Sequence, residues 1–114
     1  MPNPLKSVSC LKRLVSAARA IVTYQVGLPF GCIRVRRILL ELPPFKEVSY
    51  RVFEDYLKAV RELPIGSERL RWNREALRKH DKILEATSSR FRDAIFEACY
   101  EIIDSHGAQS DNAA

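Results

Sequence analysis

The sequence predicts an all-α fold, a single-domain bundle of four main helices whose last helix is long and could bend. Apolar residues recur at spacings of three and four positions in four successive segments, which is the period of a helix with one buried face. Prolines and glycines stand between those segments. A length of 114 residues, of which 46% are apolar and 29% charged, suits one globular core. We therefore expect one helical domain over residues 1–106.

The first helix is expected to begin at Pro4 with Asn3 as its N-cap, because proline fits the first helical position and asparagine caps helices well. Its apolar face is predicted to contain Val8, Leu11, Val15, Ala18 and Val22. Gly27 is then expected to adopt the left-handed conformation that commonly ends a helix.

The segment from Pro29 to Leu42 allows two interpretations. As a helix, it places five apolar residues on one face: Cys32, Val35, Ile38, Leu39 and Leu42. As a strand, it would begin with the alternation of Ile33 and Val35 with arginines. The run RILLEL breaks that period of two at once, so the pattern favours the helix.

The third helix is expected to begin after Ser49, which can cap it. Val48 before the cap and Phe53 within the helix occupy the positions of a hydrophobic staple. Pro64 is expected to end the helix. The apolar stripe of this helix is predicted to consist of Phe53, Tyr56, Leu57, Val60 and Leu63.

The stretch LPIGSERLRW, residues 63–72, is predicted to be mostly the joint between two helices. Pro64 and Gly66 supply the stop and the turn, and Asn73 is a suitable N-cap for the helix that follows. Trp72 and Leu77 occupy the positions of a second staple. The residues to which the fold assigns no evident role are Glu68, Arg69 and Arg71.

The fourth helix is predicted to run from Arg74 to about Asp104. Its inner face is expected to comprise Leu77, His80, Leu84, Thr87, Phe91, Ile95, Ala98 and Ile102. The run TSS at residues 87–89 is expected to bend or break so long a helix, because these side chains compete for backbone hydrogen bonds. A second stripe of Phe96, Cys99 and Ile103 is expected to meet another helix or a second copy of the chain in a homodimer. Residues 107–114, the tail GAQSDNAA, are expected to be disordered.

The charge of the chain is uneven. Residues 1–42 contain seven Lys or Arg and one acid, whereas residues 83–114 contain two basic and six acidic residues. The basic start resembles a transit peptide, but it also supplies two of the strongest apolar faces, so we expect it to belong to the folded domain. No apolar run approaches the ~20 residues of a membrane span, and we expect no membrane association. Three cysteines without paired spacing predict reduced thiols in a cytoplasmic protein.

No arrangement of residues predicts an enzyme. Cys99 and His106 are separated by two helical turns, which is too far for the hydrogen bond between a nucleophile and its base. His80 lies on the apolar face of the fourth helix without a second histidine at metal spacing, so we expect it to be structural. The chain also lacks a phosphate-binding glycine loop and a G-x-S-x-G turn. We expect no catalytic activity, no cofactor and no metal site.

Basic side chains are the strongest functional candidates. Four of them are spaced along one side of the fourth helix and its approach: Arg71, Arg74, Arg78 and Lys82. Three acids interrupt this face, as is also typical of a solvated surface: Glu75, Asp81 and Glu85. Arg36 lies between two apolar patches of the second helix and should seek a carboxylate, either from the acidic end of the last helix or from a partner.

These features favour a non-enzymatic protein-binding module. Its expected contact residues are Arg36, Arg69, Arg71, Trp72, Arg74 and Arg78. The alternative is a nucleic-acid-binding regulatory protein that uses the same charges, although the aromatic residues predicted to face the core would not be free to stack on bases.

Four short motifs carry a resemblance to a known family: ARAI with GC a few residues on, LPIGSERLRW, AL…KHD and EACYEII. Read together, they resemble a family of short, uncharacterised bacterial helical proteins over about residues 17–103. The resemblance implies an all-helical domain of this size, and it implies no activity or site residues. Some small bacterial proteins of this type are immunity proteins that neutralise a toxin from a competing cell. By that analogy, the protein partner would be a toxin.

Overall fold

The computed structural model of the protein describes residues 4–41 and 50–111, and the side chains of residues 8–41 and 50–107. These residues form α1 (Pro4–Val22), α2 (Leu28–Leu40), α3 (Arg51–Val60), a 3₁₀ helix (Ser67–Arg71) and α4 (Arg74–Asp111). The predicted all-α fold with four main helices is confirmed, and the helical interpretation of the second segment is correct. The expected roles of Asn3, Leu42, Val48 and Ser49 fall outside the described residues.

The four α-helices form a closed ring around one core. Each helix packs against its neighbours in the chain, and α4 also packs against α1. The fully buried residues come from all four helices and include Leu14, Ile21, Cys32, Val35, Ile38, Phe53, Tyr56, Val60, Ile95, Cys99 and Ile102. Burial of these side chains is the main driving force for the fold.

The turn between α1 and α2 differs from the expected one. Tyr24, not Gly27, occupies the left-handed position, with φ of 60°. Its N–H donates to the carbonyl of Ile21 at 3.1 Å, and the N–H of Gln25 donates to the carbonyl of Ala20 at 2.9 Å, which together satisfy the end of α1 in a Schellman motif. Gly27 is extended, with φ of −66° and ψ of 155°, and precedes α2 as its N-cap.

The side chain of Tyr24 explains why a non-glycine residue occupies this position. Its ring packs against Phe96 of α4, with 5.8 Å between ring centroids, and Phe96 in turn contacts Tyr100. A left-handed tyrosine is unfavourable by itself. The aromatic contact joins the turn to α4, but Tyr24 is largely exposed, so the contact offsets only a small part of that cost.

Gly31 of α2 lies at a close approach between α2 and the end of α1. A Cβ atom added to this buried glycine would lie 2.5 Å from Cγ1 of Ile21 and 3.1 Å from Cγ1 of Val26. The absence of a side chain therefore allows α2 to pack directly on the end of α1.

The contact between α3 and α4 contains a buried polar pair. The hydroxyl oxygens of Tyr56 and Ser88 are 2.7 Å apart and share a hydrogen bond, and the Tyr56 ring packs against Phe91. Ser88 is buried in a continuous helix, so the break expected at residues 87–89 does not occur. Its hydroxyl is used across the core rather than against its own helix.

The helix α4 is longer than the sequence predicts, because it ends at Asp111 and not near Asp104. The boundary expected at residue 107 lies inside the helix, where Gly107 is buried and Ile103 and Arg19 of α1 are close by. Residues 112–114, the end of the expected disordered tail, lie outside the described residues.

The second apolar stripe of α4 meets other parts of the same chain. Cys99 is fully buried in the core, Phe96 contacts Tyr24, and Ile103 packs against the core. The stripe therefore has an intramolecular role, while the homodimer stays an untested prediction. Among the residues that the structure describes, no helix combines the length and the apolar character needed to cross a membrane.

Candidate functional site

The connection from α3 to α4 is a loop held by several side-chain hydrogen bonds. We call residues 63–72 the display loop. Its 3₁₀ helix is held at the start by Glu68, whose carboxylate accepts the backbone N–H of Ile65 at 3.2 Å. Backbone N–H groups of Glu68 itself, Ile65 and Gly66 lower the pKa of the Glu68 carboxyl group, because they stabilise its charged form. Glu68 thus caps the first turn of the loop.

Arg69 fastens the display loop to α4. Its Nη1 donates to Oδ1 of Asp81 at 2.7 Å and its Nη2 donates to Oδ2 at 3.0 Å, a bidentate pair, while Nη1 also donates to the carbonyl of Pro64 at 3.0 Å. The hydrogen bond from Arg69 lowers the pKa of Asp81, and the same bond raises the pKa of Arg69. One guanidinium therefore joins the start of the loop, its 3₁₀ helix and the second turn of α4.

The Arg69–Asp81 pair predicts a pH-dependent contribution to stability. A carboxyl group whose pKa is lower in the folded protein stabilises the fold above its unfolded pKa, about 3.9, and loses this contribution as the pH falls through the folded pKa. Asp81→Asn is therefore expected to be less stable than the wild type at neutral pH, by a modest amount because both partners are exposed to solvent. Urea unfolding of the two proteins should show the difference shrinking below about pH 4. A difference that stays constant down to about pH 2 would show that this ion pair contributes nothing.

The end of the display loop is held by an aromatic contact and a helix cap. Oδ1 of Asn73 accepts the N–H of Ala76 at 2.8 Å, so the predicted N-cap of α4 is confirmed. Trp72 packs edge to face on His80, with 4.7 Å between ring centroids, one turn beyond the expected staple position at Leu77. His80 is half-buried, and within the described chain its buried Nδ1 has no hydrogen-bond partner, so its structural role stays a prediction.

Leu70 is the most exposed large apolar residue of the described chain. Its side chain is 89% exposed, although its neighbour Arg69 is fastened to α4. Trp72 is 38% exposed, and Ile83 is an exposed apolar residue one turn beyond His80. Leu70 is not among the contact residues predicted from the sequence, because it belongs to no helical stripe. That isolation from every stripe was the signal that could have identified it.

Four basic residues that the sequence singled out follow Leu70 in the chain, one on the display loop and three on α4: Arg71, Arg74, Arg78 and Lys82. All four are exposed, and within residues 8–41 and 50–107 none of them forms an ion pair. Residues four apart on a helix lie along one side, so three of them extend from the start of α4 as a row. Asp81, one of the acids expected to interrupt the row, is neutralised by Arg69. The pair cancels one acid and one cation together, so the net charge of this surface is unchanged, and Glu75 and Glu85 stay exposed beside the row.

The six predicted contact residues do not form one group. Trp72 and four arginines lie on the display loop and the first turns of α4, whereas Arg36 lies on α2. Arg36 pairs weakly with Glu54 of α3, with 4.0 Å between Nε and Oε1 and both side chains about half exposed. The expected internal partner on the acidic last helix is therefore wrong, because packing of α2 on α3 brings a different acid closer. Arg69 has the intramolecular role described above.

The buried thiols are poor nucleophiles. Burial raises the pKa of Cys99 to about 12, and burial together with the nearby Cys99 also raises the pKa of Cys32. Cys10 is buried as well, and its thiol donates to Oε2 of Glu41 at 3.3 Å. Across the described residues, no three His, Cys, Asp or Glu side chains are grouped so that they could hold a metal ion.

Comparison with known protein families identifies a family that matches most of the chain. A family described as "Protein of unknown function (DUF2489)" matches residues 6–102, which includes nearly all of α1, all of α2 and α3, the display loop and most of α4. Comparisons with curated proteins and with solved structures gave no match.

Proposed function

This chain belongs to the DUF2489 family, and from that premise we propose that it is a non-enzymatic protein-binding module that contacts its partner through the display loop and the first turns of α4. The observation that carries the proposal is the 89% exposure of Leu70 on a fastened loop. An isolated exposed leucine is ordinary on a protein surface. A leucine on a loop that a bidentate ion pair and a cap restrain is a stronger signal, because less backbone ordering remains to be lost when a partner binds.

The residues next to Leu70 have the composition of an interface centre. Tryptophan and arginine are enriched among the residues that contribute most to protein–protein affinity, and Trp72, Arg71 and Arg74 lie beside Leu70 in the chain. Burial of a leucine side chain contributes about 1.5–3 kcal/mol. We expect the partner to supply an apolar pocket for Leu70.

The exposed cations of this chain indicate the charge that the partner's surface should carry. Because Arg71, Arg74 and Arg78 have no acid partner within the described residues, they are available to steer an acidic surface into contact. The partner is therefore a protein with an acidic rim around an apolar pocket. In its most specific form, the proposal is that the chain acts as an immunity protein in a bacterial cytoplasm and blocks a toxin.

Nucleic acid is the second candidate ligand, and the row Arg74, Arg78 and Lys82 is the observation that favours it. A duplex or single strand would contact the row through phosphates, with an affinity that falls steeply as salt rises. The display loop offers little aromatic surface on which bases could stack, since the ring of Trp72 already contacts His80. Leu70 would have no role in such a complex.

An affinity capture from the lysate of the native host tests the proposal. The wild type, Leu70→Asp and a reference variant, Lys12→Glu on the exposed face of α1, are compared with and without nuclease and at low and moderate salt. We expect the wild type and the reference variant to retain the same protein after nuclease treatment. Leu70→Asp should reduce the affinity for this protein at least about tenfold, because a charge replaces the leucine that the partner would bury in the complex.

Two results would contradict the proposal. Recovery of nucleic acid that disappears with salt, unaffected by Leu70→Asp, would support the second candidate instead. Equal retention of one protein by all three variants would show that the partner binds elsewhere. Circular dichroism of each variant verifies that the helices are intact.

A further inference from the structure

A groove lies between α2, α3 and the beginning of the display loop. It has a volume of about 320 Å³, at the lower end of the range for small-molecule sites, roughly 300–1,000 Å³. Its apolar lining consists of Ile33 of α2, Leu57 and Val60 of α3, and Ile65 of the loop. Ile65 is fixed there because its N–H is held by Glu68. We call this depression the α2–α3 groove.

The charged lining of the α2–α3 groove is strongly asymmetric. Three cations, Arg36, Lys58 and Arg61, share it with one acid, Glu54. Glu54 lies 4.0 Å from Arg36, a long and half-exposed contact that neutralises little of the charge. Within the described residues, Lys58 and Arg61 have no ion pair. An apolar floor with surplus positive charge complements a molecule that combines an apolar body with an anionic group.

We propose that the α2–α3 groove binds a small amphipathic anion, an alkyl or aryl group that carries one carboxylate or sulfonate. The apolar body lies against Ile33, Leu57 and Ile65. The anionic group lies between Lys58 in the last turn of α3 and Arg61, the helical C-cap of α3, which are three residues apart and therefore project on the same side. This proposal does not depend on the protein-binding function, because neither Leu70 nor the row on α4 lines the groove.

Fluorescence titration with 8-anilinonaphthalene-1-sulfonate tests the proposal, since this probe is itself an aryl sulfonate. Lys58→Glu and Arg61→Glu are compared with the wild type and with Lys12→Glu, which makes the same charge change on α1, away from the groove. We expect saturable binding by the wild type, weakened about tenfold by each groove variant at low salt and by less than about twofold in Lys12→Glu. Octanoate should displace the probe at lower concentrations than octan-1-ol does.

Amide chemical-shift mapping of the wild type provides a measurement that needs no variant. Shifts that cluster at residues 33, 57, 58 and 65 would support the assignment. The proposal is overturned if binding does not saturate, if the shifts cluster elsewhere, or if Lys12→Glu weakens binding as much as Lys58→Glu. It is also overturned if octan-1-ol competes as well as octanoate.

Leu70→Asp separates this proposal from the function proposed above. The variant is expected to bind the probe like the wild type while losing the protein partner. If it loses the probe as well, the probe binds at Leu70, which does not line the α2–α3 groove, and the groove proposal fails.

Discussion

Substitution of Gly31 by valine is expected to lower the free energy of unfolding by about 3 kcal/mol, at the upper end of the range for overpacked cores. The new Cβ atom alone would lie 2.5 Å from Cγ1 and 3.0 Å from Cδ1 of Ile21. Ile21 is 1% exposed, and its β-branched side chain has few other rotamers available inside a packed helix interface. The helices α1 and α2 must therefore move apart, which exposes part of the core.

Urea unfolding measures this effect, with Gly27→Val as the matched control. A Cβ atom at Gly27 would meet only Cδ of Pro29, at 4.0 Å, and its extended backbone accepts valine. The control should therefore change the unfolding free energy by less than about 1 kcal/mol. Combination of Gly31→Val with Ile21→Ala should be less destabilising than the sum of the two single changes, because the alanine removes the atoms in conflict. A Gly31→Val protein as stable as the wild type would show that α1 and α2 do not approach so closely.

Substitution of Ser88 by alanine is expected to destabilise the protein by about 2 kcal/mol, because it leaves the buried hydroxyl of Tyr56 without its partner. Tyr56 is 0% exposed, and burial raises its pKa even though the Ser88 hydrogen bond opposes that shift. Removal of the other partner by Tyr56→Phe should destabilise the protein less than Ser88→Ala does. The Ser88 hydroxyl left behind can turn to a carbonyl of its own helix, which the tyrosine hydroxyl cannot reach.

A double-mutant cycle distinguishes the hydrogen bond from simple packing. Tyr56→Phe combined with Ser88→Ala removes both polar groups, so the double variant should be more stable than the sum of the single effects predicts, by about 1 kcal/mol. Urea unfolding of the four proteins gives this coupling energy. Strictly additive effects would show that the two hydroxyl groups do not interact in solution.

Much of the fold was predictable because helix faces are local patterns. The stripe Phe53, Tyr56 and Val60 is buried as predicted, and Asn73 caps α4 as its neighbours suggested. The errors arise where distant residues override local preference. Glycine is the usual left-handed residue, but Tyr24 occupies that position and its ring contacts Phe96, 72 residues away in the chain.

The same reason explains the errors in α4. Serine side chains weaken a helix when they compete for its backbone, yet the Ser88 hydroxyl is occupied by Tyr56 from α3. Gly107 is unfavourable inside a helix, yet α4 continues through it where it packs close to Arg19 of α1. Neither contact has a signature within a few residues of the position concerned.

The location of the candidate site stays a prediction, and its details differ from those expected. Five of the six expected contact residues do lie on the display loop and the start of α4. The sequence could not show that Arg69 is paired with Asp81, twelve residues on, or that Arg36 faces Glu54, because both pairs depend on how the elements pack. The fastening of the loop is also what distinguishes Leu70 from an ordinary exposed leucine.

Site-specific photo-crosslinking tests the central claim, that the display loop is the partner-binding surface, most directly. A photoreactive phenylalanine derivative replaces Leu70 in one protein and Ser16, exposed on α1, in another, and both are irradiated in the lysate of the native host. The account predicts that position 70 forms a covalent adduct with one protein and that position 16 does not. An adduct of that protein with position 16 alone would contradict the account, as would adducts of position 70 with nucleic acid alone.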